Sequence, residues 1–326
     1  MKLLSPYKLK QTVIFLTIII MISSECVAQR VFSLRPLHLV QQDTTVTLKN
    51  QNLKVTFVNN KAYYPSHWNG YSGVSELYHS AQDSSVFMIN HAGFNLEFIV
   101  SGDSLVQKFE PRRHPVELYS RSENEVMLYQ SPTPYSQVES LTVFELANSE
   151  FIDVTFRCVI HVGDFFQHNY AGLFWASYID TPKDKKIYFK GFEKSETTAH
   201  WINAFSQKHG IKSTHKAEND EHDLFFARDF NVKLFNSFSD YRYKSPFYFG
   251  RFHNMVLAYL FDSSEVIRFA QSPTGGGAVQ PAWDFQFIIP NLKYEHEYSF
   301  RVRIIYKPFI SEQDIEEQYE SWRKEL

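Results

Sequence analysis

Short runs of β-forming residues recur from one end of this chain to the other, and many of them alternate. Tyr298-Ser299-Phe300-Arg301-Val302-Arg303-Ile304 shows the pattern most plainly. Successive side chains of an extended chain point to opposite faces, so Phe300, Val302 and Ile304 share one face and Arg301 and Arg303 the other. One dry face and one wet face is the pattern of antiparallel sheets packed as a sandwich. Thr45-Val46-Thr47-Leu48 and Leu53 to Val58 flank Lys49-Asn50-Gln51-Asn52, which reads as a hairpin around an Asn-rich turn. Further strands are expected at 94–100, 116–129, 139–146, 151–162 and 173–179. Later ones are expected at 186–189, 232–235, 255–261, 266–270, 283–289 and 298–306. No internal repeat or low-complexity linker interrupts them. Residues 193–229 are the least strand-like and hold His200, His209, His215 and His222, so they read as a long functional loop. Ser311-Glu312-Gln313-Asp314 reads as a capped helix start, with Ile315, Tyr319, Trp322 and Leu326 following at helical spacing. The expected fold class is therefore all-β, an antiparallel sandwich with a short C-terminal helix.

The N-terminus reads as a leader. Lys2, Lys8 and Lys10 precede the apolar run Thr12 to Ile22, and Cys26-Val27-Ala28 ends in a small residue. That is the pattern of a secretory signal peptide over residues 1–28. The alternatives are a lipid anchor on Cys26 or an uncleaved membrane anchor. The apolar run falls short of the roughly 20 residues that span a bilayer. Residues 29–326 then form one domain outside the cytoplasm, periplasmic or extracellular, with no membrane span after cleavage. Without Lys2, Lys8, Lys10 and Glu25 the remainder carries 30 basic and 35 acidic residues, a formal charge of −5. It has no basic run, so nucleic acid is not an expected partner. One cysteine, Cys158, remains in an apolar run and reads as a core residue. No His-x-His or His-Glu-x-x-His spacing points to a metal.

Aromatic residues make up 17% of the chain. Aromatic faces beside amides, imidazoles and carboxylates suit a sugar. Five segments offer that mixture. Gln167-His168-Asn169-Tyr170 precedes the strand-like Ala171 to Tyr178; His168 reads either as a general acid or base or as a strand-end imidazole bonded to backbone. His91 precedes small residues, Ala92-Gly93, that would let a ligand approach the backbone. Arg251 and His253 share one face of an extended segment, where Arg251 could clamp a carboxylate or hydroxyls. Asp284 and Gln286 project from one face of Trp283-Asp284-Phe285-Gln286-Phe287. A carboxylate there needs either a raised pKa or a partner such as Arg301 or Arg303. Trp68 and Tyr71 lie in a polar-aromatic loop and could stack on a sugar. Thr274-Gly275-Gly276-Gly277 lacks the Lys-Ser/Thr ending of a phosphate loop.

Two of these segments carry a family resemblance. Asn90-His91-Ala92-Gly93-Phe94 resembles the His-Gly-Gly…Gly-Phe segment of the galactose mutarotase (aldose 1-epimerase) superfamily. His168-Asn169-Tyr170-Ala171-Gly172-Leu173 resembles its later His-(Ser/Thr)-Tyr-Phe-Asn-Leu segment. The resemblance implies a β-supersandwich over most of residues 29–326, a sugar or oligosaccharide as partner, and no cofactor. It implies His168 as the acid that protonates the ring oxygen and His91 as a sugar ligand. The family's base is a glutamate on a late strand, where this chain offers Asp284. The family's early arginine has no counterpart around Trp68, and Arg251 would stand in for it. The expected site is thus His168 and Asp284 as catalytic groups, with His91, Trp68, Asn169, Tyr170, Arg251, His253 and Gln286 binding substrate. A non-catalytic carbohydrate-binding protein and a polysaccharide lyase-like enzyme are the alternative readings.

Overall fold

The computed structural model describes residues 33–61, 70–103, 109–193 and 196–326. The leader and Trp68 lie outside these residues. Leu34–Leu326 make up one unit, built mainly of β-strands.

Its strands, in chain order, are β1 (Gln41–Gln42), β2 (Thr45–Lys49), β3 (Leu53–Val58), β4 (Gly73–His79), β5 (Asn95–Val100), β6 (Glu117–Ser120) and β7 (Glu125–Gln130). Next come β8 (Val138–Glu145), β9 (Phe151–Ile160), β10 (Tyr170–Ala176), β11 (Ile187–Glu193), β12 (His200–Ala204) and β13 (Thr214–Ala217). The last are β14 (Phe238–Tyr243), β15 (Phe247–Phe252), β16 (Met255–Phe261), β17 (Ile267–Ser272), β18 (Ala282–Pro290) and β19 (Glu297–Pro308). The helices among the described residues are α1 (Glu110–Arg113), α2 (Lys233–Asn236) and α3 (Glu312–Glu325). Strands β2, β3 and β4 form a small sheet. The others form a large one, ordered β1-β6-β7-β8-β9-β19-β16-β15-β11-β14-β13-β17-β18-β10-β5, with β12 beside β11. Among the described strands only β13 and β14 pair in parallel.

The large sheet folds back on itself. Trp175 of β10 and Phe285 of β18 stack at 5.0 Å, and Trp175 meets Phe156 of β9 at 4.8 Å and Phe300 of β19 at 5.2 Å. Strands far apart in the sheet order thus face each other across one core. Phe57 of the small sheet reaches Phe144 of β8 at 4.9 Å and closes the core from the side. Cys158 is fully buried in it, and burial pushes its thiol pKa up. The chain therefore forms the all-β sandwich with a short C-terminal helix that its alternation dictates. Helix α3 is capped by the Ser311 hydroxyl, which accepts from the Asp314 N–H at 3.1 Å, and it buries Ile315, Tyr319 and Trp322.

Four local expectations need correction. The 116–129 run is two strands, β6 and β7, because 121–124 turn between them. The 193–229 stretch is not one loop, since β12 and β13 lie within it. Residues 232–235 are not a strand; they belong to the helical turn α2, closed by Phe235 N–H to Val232 O at 2.9 Å. Arg303 is not on a wet face. Helix α3 covers it, and it pairs with Asp153 at 2.7 Å and Glu325 at 2.9 Å.

The second face of β5, β10, β18 and β17 positions the candidate site. Along β18 the aromatic residues Trp283, Phe285 and Phe287 enter the main core, so Ala282, Asp284 and Gln286 point the other way. Partner residues across the ladder share that face: Phe98 with Phe174, Phe174 with Gln286, Gln286 with Arg268, and Asp284 with Ala270. A segment carrying Phe226, Phe230, Val232, Leu234 and Phe235 lies over the middle of this face.

Candidate functional site

Under one end of that covering segment lies a cavity of about 150 Å³. Glu97, Tyr178, His209, Ser272 and Asp284 supply its polar lining, and Phe98, Phe109, Phe174 and Leu234 its apolar walls. It shares Phe98, Phe109, His209 and Leu234 with an outer chamber of about 370 Å³ that adds Arg113, Asn231 and Lys233. The two form one stepped cleft, polar and acidic inside, apolar with two cations outside.

Asp284 lies at the bottom. Its side chain is 0% exposed. One carboxyl oxygen, Oδ1, accepts the Ser177 N–H at 3.1 Å, while Oδ2 has no hydrogen-bond partner. Neither arginine considered for it is a partner: Arg301 lies 3.7 Å from Asp262, and Arg303 is held by Asp153 and Glu325. Burial, reinforced by the charge of Glu97, holds the Asp284 carboxyl well above the usual carboxylate range. Its surroundings therefore favour the protonated acid, whose Oδ2 has no partner and is placed to donate.

Glu97 is the second carboxylate. It is also buried, and burial raises its pKa, but its partners oppose that effect. Arg112 Nη1 lies 3.7 Å from Oε1, and the Tyr178 hydroxyl donates to Oε2 at 2.7 Å. A nearby cation and a donated hydrogen bond both favour the charged form. Asp284 has only a backbone N–H, so Glu97 is the more readily ionised of the pair. Arg112 is itself clasped, its guanidinium 3.7 Å from the Tyr71 ring centre and 4.9 Å from that of Phe109. Cation–π contact of this kind holds a buried guanidinium without neutralising it. Tyr71, deep beneath it, has its pKa pushed up to about 12 by burial.

His91 belongs to the same network. Its ring lies 4.9 Å from Tyr71 and 5.0 Å from Tyr178, and Nδ1 meets the Ile89 carbonyl at 3.1 Å. Burial lowers its pKa, and Arg112 lowers it further. The neighbouring Gly93 does not open the backbone to a ligand. A Cβ there would fall 2.1 Å from the Phe87 ring, so the residue is small for packing. Tyr71 is 0% exposed and stacks on protein groups rather than offering a free face. His209 lines both chambers. Its Nδ1 meets Ser272 Oγ at 2.9 Å, and burial lowers its pKa.

The structure separates the other expected residues from this cleft. Tyr170 pairs with Pro290 at one end of the β10–β18 ladder, while Asp284 lies just past the Trp175 and Phe285 pair at the other. Tyr170 and Ala176 are six residue steps apart, about 20 Å of strand at roughly 3.3 Å per residue. His168 and Asp284 therefore cannot flank one sugar ring, and the expected pairing of the two is corrected. His168 instead has its Nε2 2.6 Å from Asp103 Oδ1 and its ring 4.2 Å from that of Phe225. Asn169 is an exposed turn residue at φ 58, and the Tyr170 hydroxyl donates to the Phe225 carbonyl at 2.6 Å. All three line a different cleft of about 320 Å³, with His222, Asp223 and Asn291.

Arg251 and His253 are elsewhere again. Arg251 stacks on Phe309 at 4.0 Å, and His253 is exposed in the β15–β16 hairpin turn at φ 55. Gln286 shares the face of Asp284 but donates to the Leu234 carbonyl at 2.9 Å, which ties the covering segment down. Of the expected residues, then, Asp284 lines the cleft, Gln286 lies one position along the same face, and His91 packs behind the lining residue Tyr178. Glu97, Tyr178 and His209 line the cleft, with Arg112 behind Glu97, and were not singled out from sequence. Among the described residues no group of three or more His, Cys, Asp or Glu is placed to hold a metal ion. No described helix is long and apolar enough to cross a membrane.

No family model matches this chain, and no curated protein matches it in sequence. Among solved structures it is similar to a putative aldose 1-epimerase from Escherichia coli K12. The two are 10% identical over 82% of this chain and 99% of the other, with a TM-score of 0.48. It is also similar to a heparan sulfate lyase from Pedobacter heparinus, 8% identical over 84% of this chain and 37% of the lyase, TM-score 0.41. A third is a 4-alpha-glucanotransferase from Thermococcus litoralis, 10% identical over 82% of this chain and 39% of that one, TM-score 0.40.

Proposed function

We propose that this is a secreted carbohydrate-active enzyme. It takes a sugar, or one end of an oligosaccharide, into the stepped cleft and acts on it with Asp284 as acid and Glu97 as base. One observation carries the reading: a fully buried carboxyl oxygen of Asp284 has no partner and shares a cavity lining with a second carboxylate. An unpaired buried acid is costly, so a fold that keeps one has a use for it. Two carboxyl groups whose surroundings separate their protonation are suited to moving one proton on and another off.

In an epimerase-like reaction, Glu97 removes the proton of the anomeric hydroxyl. The bond from the anomeric carbon to the ring oxygen breaks, and that oxygen takes the proton from Asp284. The open chain rotates and recloses by the reverse transfers. Only protons move, so the chemistry calls for no cofactor. Asp284 is sealed from bulk water, so substrate reaches it when His209 and Leu234 shift aside. Closing again excludes water from the reacting atoms.

Calorimetry and NMR over a glycan panel test this directly. The proposal expects a sugar that binds and changes configuration or linkage, with turnover lost in Asp284→Asn. Binding that survives without any conversion would instead support a non-catalytic carbohydrate-binding protein. Secretion rests on the leader alone. Sequencing the exported protein should find Gln29 as its first residue, and retention of an intact leader would oppose it.

A further inference from the structure

Resting on that proposed function, we infer that the substrate carries an acid group, and that Arg113 and Lys233 bind it at the mouth of the cleft. Both line the outer chamber, and both are exposed. Neither pairs with a carboxylate among the described residues; Lys233 Nζ meets only the Phe230 carbonyl, at 3.1 Å. The internal segments 62–69, 104–108 and 194–195 contain no aspartate or glutamate that could pair with them. Carboxylates hold several other cations, as at Arg157–Glu297, Lys190–Glu316 and Arg268–Asp220. Arg113 and Lys233 bring two positive charges to one opening on a chain of net charge −3.

Local structure holds both there. Arg112 and Arg113 end α1, and Arg112 turns inward to Glu97 while Arg113 faces the opening. Gly210, at φ +68, packs so closely on Lys233 that a Cβ would lie 2.5 Å from the Lys233 Cβ. That close approach sets Lys233 beside His209 at the junction of the two chambers. A sugar bound with its reacting carbon at Asp284 would direct the opposite edge of its ring, or the next ring, outward between the two cations. A carboxylate, sulfate or phosphate there gains charge-assisted hydrogen bonds that a hydroxyl cannot match. Burial disfavours the charged form of Asp284, and Glu97 lies beside Arg112.

The test is calorimetry on the full protein with matched sugars: glucose, glucuronate, glucose 6-sulfate and glucose 6-phosphate, each also as the end unit of a disaccharide. At least one acid-bearing member should bind about ten-fold or more tightly than its neutral counterpart, with an advantage that shrinks as salt is added. The preferred member identifies the acid group. In Arg113→Gln with Lys233→Gln the advantage should vanish while neutral binding stays as it was, and Lys233→Arg should keep it. Neutral sugars binding as tightly as acidic ones, with binding still sensitive to Asp284→Asn, would overturn this inference and leave the proposed function standing. No binding by either kind would remove both.

Discussion

At the scale of single residues, Asp284 is the group that the sequence shows most openly. A carboxylate alternating with Trp283, Phe285 and Phe287 must leave the aromatic face, and it does. Its raised pKa has a consequence for stability. The folded pKa is raised above the usual value, so this group stabilises the fold at low pH and that contribution is lost as pH rises through the folded pKa. Asp284→Asn removes this dependence. The variant's melting temperature should gain on the native protein as pH rises above the usual carboxylate range, and a constant difference would argue against a raised Asp284 pKa. Glu97 was not legible in the same way. Its strand neighbours look like any β-run, and what distinguishes it are Arg112 and Tyr178, brought from distant segments. The His-rich stretch shows the same limit. His209 reaches the cleft, His222 lines the other one, and His215 is buried with its pKa lowered to about 3 by burial. Composition alone cannot sort these.

At the scale of elements, alternation identified most strands, and capping identified α3. Replacing Ser311 by Ala removes the bond to the Asp314 N–H and should cost about 1 kcal/mol in denaturant unfolding. No loss would mean that the cap is idle. The sequence misled at 232–235, where a strand-like run became a helical turn pinned over the sheet. Its seat is Gly172, whose added Cβ would lie 2.1 Å from the Phe235 ring. Phe235 is fully buried and cannot yield easily. Gly172→Ala should therefore destabilise the protein by about 1–3 kcal/mol, as overpacking does. Amide exchange should speed up in α2 more than in the buried strand β18. Uniform exchange across both would show that α2 and the sheet open as one unit.

At the scale of the whole molecule, residues adjacent in sequence patterns are parted by strand length. His168 and Tyr178 open and close one short segment, yet the register of β10 against β18 carries them to different clefts. No local pattern reveals that register, because it depends on which strands become neighbours. The sandwich was legible because its signal is local alternation; the site was only half legible because it is assembled across β5, β10, β18 and α1. The proposed function stands or falls on chemistry belonging to the Glu97 and Asp284 cleft and not to the His168 cleft. Turnover of a responsive sugar by Asp284→Asn and by His168→Ala, each compared with the native protein, decides between the two. Loss of a general acid costs about 10²–10⁴-fold, so Asp284→Asn should fall by that factor while His168→Ala stays within about three-fold. The reverse order, with His168→Ala inactive and Asp284→Asn unaffected, would move the chemistry to the other cleft and refute the proposal.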